Sequence, residues 1–80
     1  MKRQIVVIRW VDAAMYGNGT RTREEAEECE LMELVSVGVL IKENDTQITL
    51  GMDFCPRDDS YRCVNTYPKT GITSIRRIKL

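Results

Sequence analysis

The 80-residue chain contains no histidine, so the side chain that most often serves as a general base near neutral pH is missing. Other catalytic pairings are also lacking. Asp58 and Asp59 are adjacent, and adjacent side chains in an extended segment point to opposite sides, which suits a turn better than an acid and base pair. Cys55 or Cys63 would act as a nucleophile only beside a cation, for which Arg57 and Arg62 are the nearby residues. A non-enzymatic protein is expected. Cysteine is scarce and odd in number, with Cys29, Cys55 and Cys63 at unrelated spacings. That pattern excludes a secreted disulfide framework, and a closed zinc site needs four Cys or His ligands, more than one chain supplies here. Reduced, mostly buried thiols follow, with a Cys55–Cys63 bridge across a loop as the alternative. No metal or cofactor is expected. Long apolar runs are absent too. Ile5–Ile8 follows Lys2 and Arg3, but Arg9 and Asp12 end the run before it reaches the length of a signal sequence or a membrane span. The chain is read as cytoplasmic.

Net charge is the last thing missing, since 12 Lys and Arg balance 12 Asp and Glu. A bulk nucleic-acid coat is therefore disfavoured, because its affinity comes mainly from neutralising phosphate. The charges are sorted along the chain all the same. Residues 1–23 carry five basic side chains against Asp12, residues 24–59 eleven acidic against two basic, and residues 60–80 five basic and none acidic, giving +4, −9 and +5. If the first and last strands pair, Arg9, Arg76, Arg77 and Lys79 come together. A single domain over 1–80 buries only about 60–65% of its unfolded surface, so homo-oligomerisation is expected to supplement the core.

What is present is alternation. Val35, Val37, Val39 and Ile41 recur every second residue, which puts four β-branched side chains on one pleated face, read as the core face. Glu43–Thr46 gathers turn-formers, and Ile48, Leu50, Met52 and Phe54 resume the pattern as inward residues. Gln4–Asp12 is a strand with apolar residues on both faces. Gly17-Asn18-Gly19 opens a loop. Thr22 and Glu25 form a capping box, predicting a helix over about 22–33 that must dock on the domain or on another subunit. Tyr61–Tyr67 alternates as a less apolar strand, Pro68–Gly71 reads as a turn with a single 3₁₀ turn in it, and Ile72–Leu80 closes the chain. Apolar residues at 72, 75, 78 and 80 match neither period, which predicts a bulge near Ser74 or an edge position. The fold class is mainly β: a five-stranded SH3-like small barrel with one short helix between strands 1 and 2. In that layout the first loop and the last turn share one side, so Tyr16, Tyr67 and Pro68 border a groove with Arg21 and Lys69 at its rim.

Several short motifs are similar to those of small phage and prophage accessory proteins that share no established function. They are Trp10-Val11-Asp12, Ser36-Val37-Gly38, Lys42-Glu43-Asn44-Asp45 ahead of Ile48-Thr49-Leu50, and Pro68-Lys69 with a glycine before the last strand. This chain has Val39 where those proteins often carry an aromatic, and its glycine is displaced to Gly71. The resemblance implies an accessory phage protein acting in a bacterial host, where such proteins antagonise host factors or defence, some by sequestering a nucleotide signal.

The residues themselves suggest capture of a small anionic, nucleotide-like ligand. Arg21, Arg23, Arg62 and Lys69 near loops supply positive charge, Gly17–Thr20 with Asn18 and Thr20 supply polar donors, and Trp10, Tyr16 and Tyr67 supply stacking surfaces. The alternative is an adaptor or inhibitor that uses the same groove, or the acidic helix, against a host protein.

Overall fold

The computed structural model describes residues 3–13 and 17–79. β1 (Gln4–Asp12) is followed by a short helix α1 (Arg23–Glu27), then β2 (Met32–Glu43), β3 (Gln47–Cys55) and β4 (Ser60–Pro68). A 3₁₀ turn (Lys69–Gly71) leads into β5 (Ile72–Lys79). All five strands lie in one antiparallel sheet in the order β4-β3-β2-β1-β5. β4 and β5, consecutive in the chain, therefore occupy opposite edges. Four strand spacings of about 4.8 Å would separate them by about 19 Å in a flat sheet, whereas three 3₁₀ residues rise only about 6 Å. The sheet must coil. Two contacts show that it does: the rings of Trp10 on β1 and Tyr67 on β4 meet edge to face at 5.1 Å, and Arg3 lies 4.2 Å over the Phe54 ring. No β4–β5 ladder closes the sheet among the described residues, so the architecture is an open, coiled five-stranded sheet.

The inner face of the coil carries the core. Val6, Ile8, Ile48, Leu50 and Tyr67 are buried, with Trp10, Leu40, Ile72 and Ile75 packed against them. Directly paired residues share a face, and Val6 pairs with Gly38, Ile8 with Ser36 and Trp10 with Leu34. The inward residues of β2 are thus Leu34, Ser36, Gly38 and Leu40. This reverses the sequence expectation, since Val35 and Val37 are 55% and 49% exposed. The reason is volume. The Trp10 indole extends over β2 and its Nε1 donates to Ser36 Oγ at 2.9 Å, and Gly38 lets Leu50 and the β3 backbone close in. Valines at these inward positions would fill space the core already uses. On β3, Ile48 and Leu50 are inward as expected, whereas Met52 is 59% exposed.

Two departures from regular pairing mark β2 and β5. Between β1 and β5 the register shifts at Arg9/Trp10, with Ser74 paired to Arg9 and Ile72 to Trp10. The extra residue, Thr73, donates its Oγ1 to the Arg9 carbonyl at 3.2 Å. It accounts for the irregular apolar spacing of this strand, which is also an edge. The helix is shorter than its sequence predicts. The capping box forms, with Glu25 N–H donating to Thr22 Oγ1 and Thr22 N–H to Glu25 Oε1, both at 3.2 Å, but α1 ends at Glu27 and buries none of its residues. Antiparallel pairing of Asp12 with Met32 draws the following segment into β2. The cysteines are free and exposed, not buried. Cys55 pairs with Ser60, three residues from Cys63 along β4, a separation of about 10 Å that exceeds the reach of a disulfide.

A Cβ at Gly38 would lie 2.9 Å from the Gly51 carbonyl oxygen and 3.0 Å from Leu50 Cβ. Gly38→Ala is therefore expected to cost about 1–3 kcal/mol, measured as a lower urea midpoint. Gly19→Ala, with nothing within 4 Å, should shift it little.

Candidate functional site

The candidate site grows from the second of these departures, the one on β2. Leu40 pairs with Leu50, but Lys42 pairs with Thr49 and Glu43 with Ile48, so Ile41 is the extra residue of a bulge. Each residue after it changes face. Glu43 rather than Lys42 consequently joins Ile48 and Tyr67 on the inner side. From β5, Arg77 reaches the same side because it pairs with buried Val6. Lys69 comes from the 3₁₀ turn, whose position is fixed by its own N–H donating to the Thr46 carbonyl at 2.9 Å.

These three side chains converge. Arg77 Nη1 and Nη2 donate to Glu43 Oε1 and Oε2, both at 2.8 Å, in the bidentate geometry that guanidinium and carboxylate favour. Lys69 Nζ lies 2.7 Å from Glu43 Oε2. The carboxylate, 22% exposed, is held at a pKa of about 2 instead of 4.5, first by the Arg77 hydrogen bonds and then by Lys69. Glu43 raises the Arg77 pKa in return. A cleft of about 380 Å³ opens beside the cluster, lined by Glu43, Lys69, Ile72, Ser74, Ile75 and Arg77 with the bulged Thr73. Among the described residues Gln4 Oε1 is buried without a hydrogen-bond partner, and it occupies the same face, one inward position before Val6.

Two other clefts differ in charge. A larger one of about 520 Å³ at the β3–β4 tip is lined by Asp53, Asp58 and Arg62, with Phe54, Cys55, Pro56 and Ser60. A smaller one of about 260 Å³ is lined by Arg21, Glu25, Glu28 and Cys29. Both carry more acidic than basic groups. Of the three, the Lys69–Arg77 cleft alone has the excess positive charge an anion requires. Compared with known protein families, characterised proteins and solved structures, the chain matches none.

The residues expected at the site are dispersed. Trp10 and Tyr67 do come together, but they pack on each other within the core and Tyr67 is 9% exposed, so neither presents a ring face as an open platform. Tyr16 lies outside the described residues. Asn18, Thr20, Arg21 and Arg23 are exposed in and beside α1. Arg62 pairs with Asp53 at 3.2 Å, five residues from Tyr67 along β4, or about 17 Å. Lys69 is the one that reaches a basic cluster. The first and last strands do pair, yet alternation divides their charges: Arg77 and Lys79 share a face with Val6 and Gln4, and Arg9 and Arg76 share the other with Val7. Glu43 was absent from the sequence reading of the groove, and Arg77 was grouped by sequence with Arg9, Arg76 and Lys79 and not with Lys69. The irregular spacing at 72, 75 and 78 was the available signal, since the bulge it reports sets which arginine turns inward.

Because the folded pKa of Glu43 lies below its unfolded value, the cluster's contribution is complete above about pH 4.5 and is lost as pH falls from there towards 2. With Arg77 partly exposed, screening reduces that contribution to about 1–2 kcal/mol. Glu43→Gln is expected to flatten the stability profile between these pH values, read by urea unfolding at pH 3, 5 and 7. A profile as steep as that of the unsubstituted chain would assign the acid sensitivity elsewhere.

Proposed function

We propose that this chain is a non-catalytic binding protein that captures a small anionic, nucleotide-like ligand at the cleft between β5 and the 3₁₀ turn. The observation that carries this reading is the convergence of Lys69 and Arg77 on one carboxylate beside a cleft of about 380 Å³, within the range of small-molecule sites. Such a pair of cations is already arranged to grip an anion, and the Glu43 carboxylate occupies it. An incoming phosphate would take over part of the Arg77 fork and the remaining Lys69 donors. Ile72 and Ile75 provide apolar surface for the uncharged part of the ligand. Two or three charge-assisted hydrogen bonds at about 1.5–3 kcal/mol each, less the cost of ordering and of displacing Glu43, allow micromolar affinity.

The strand order is also that of an SH3-like small barrel, and closure of the coil into such a barrel belongs to this reading as an analogy of fold. The similarity to phage accessory proteins extends it further: binding without turnover would sequester a host immune signal and so act against defence. The second reading, an adaptor or inhibitor of a host protein, uses the same cleft or the exposed acidic face of α1.

Calorimetric titration with a panel of nucleotides and inorganic phosphate tests the site. At least one nucleotide is expected to bind with a Kd of about 1–100 µM. Lys69→Ala should weaken it at least about tenfold, and Glu43→Gln, by removing the competing carboxylate, should tighten it. Silence across the panel, with folded protein confirmed by circular dichroism, would reject capture in favour of the adaptor.

A further inference from the structure

We infer that the outer face of β1, β2 and β5 is the surface through which two copies of this chain pair, sheet against sheet. Register places Val7 opposite Val37, and Ile5 opposite both Val39 and Ile78, while Val35 follows on β2 beside Arg9. These six β-branched residues form a continuous apolar stripe. Val35 is 55%, Val37 49% and Ile78 42% exposed. Exposed β-branched side chains on β2 and β5, with half-buried Ile5 and Val7 between them on β1, amount to the kind of patch that soluble monomers cover.

Surface area points to the same need. A compact chain of 9.2 kDa exposes about 4,900 Å², whereas this one exposes 6430 Å². The excess of about 1,500 Å² is shared between this face and the exposed segment around α1, and it exceeds the roughly 800 Å² that each partner gives to a standard interface. The radius of gyration is 16.6 Å with a longest dimension of 54 Å, against about 12 Å for a compact domain of this length.

Charge selects a second copy as the occupant. The rim of the stripe carries both signs, Arg9 and Arg76 with Glu33, and Arg9 already approaches Glu33 at 3.5 Å. A two-fold axis through Val37 can set the basic rim of one copy against the acidic rim of the other, as self-complementary interfaces require. Zero net charge imposes no overall repulsion between copies. The inference is independent of ligand capture, because the cleft lies on the inner side of the sheet.

Sedimentation equilibrium across protein concentration tests it. Twice the mass of one chain is expected at micromolar concentration. Val37→Lys places two ammonium groups at the apolar centre and should raise the dimer dissociation constant about 100-fold or more, with an unchanged far-ultraviolet spectrum. Val35→Lys should act likewise, which covers the case that one variant misfolds, while Met52→Lys, off the stripe, should leave the mass as it is. A monomer at all concentrations overturns the inference, including one that instead retains a host protein on this face. So does a dimer sensitive to Met52→Lys but not to the valine substitutions.

Discussion

Two strands at opposite edges of the sheet, β4 and β5, are joined by three residues, and that short connection constrains the rest of the molecule. A flat sheet cannot satisfy it, so the chain coils, bringing Tyr67 onto Trp10 and burying a small set of aliphatic side chains between strands that are not hydrogen-bonded neighbours. The same crossing carries Lys69 towards the end of β2 and starts β5 against Trp10. A single geometric requirement thereby creates the core and delivers two of the three members of the ion cluster.

Bulges then decide which chemistry faces which way. Ile41 on β2 and Thr73 on β5 each shift the alternation by one residue. Between them they turn Glu43 inward and fix which side chains of β5 meet the core, so that opposite charges meet where an unbroken pleat would place Lys42. On the outer side the pairing stays regular across β1 and β2, which is why the valines there form an uninterrupted stripe.

Much of this architecture was legible in the chain. Gln4–Asp12 is a strand with the bounds its pattern predicts, the turn after Glu43 and the 3₁₀ turn at Lys69–Gly71 stand where turn chemistry put them, and the irregular last strand carries the expected bulge. Two things were not legible. Alternation shows that Val35 and Val37 share a face, but which face is inward depends on the Trp10 indole resting over Ser36, a contact between residues far apart in sequence. The convergence of Lys69 and Arg77 on Glu43 likewise requires strand order and coil. Loop position put Arg62 and Lys69 among the candidate ligand residues alike, whereas the length of β4 keeps them apart.

The turn between β2 and β3 is closed by the Asn44 N–H donating to the Gln47 carbonyl at 3.0 Å and braced by the Asn44 side chain. Asn44 Oδ1 accepts from Thr46 N–H at 2.9 Å and from Thr46 Oγ1 and Gln47 N–H, both at 3.0 Å, so this corner is specified locally. Closing Glu43 onto Ile48 spans five positions, while joining Ile8 to Ile75 spans 67, and the longer closure costs about 2 kcal/mol more in chain entropy. Arg77 is carried by the strand that needs the longer closure, so the ion cluster ties the most local corner of the sheet to its most distant pairing.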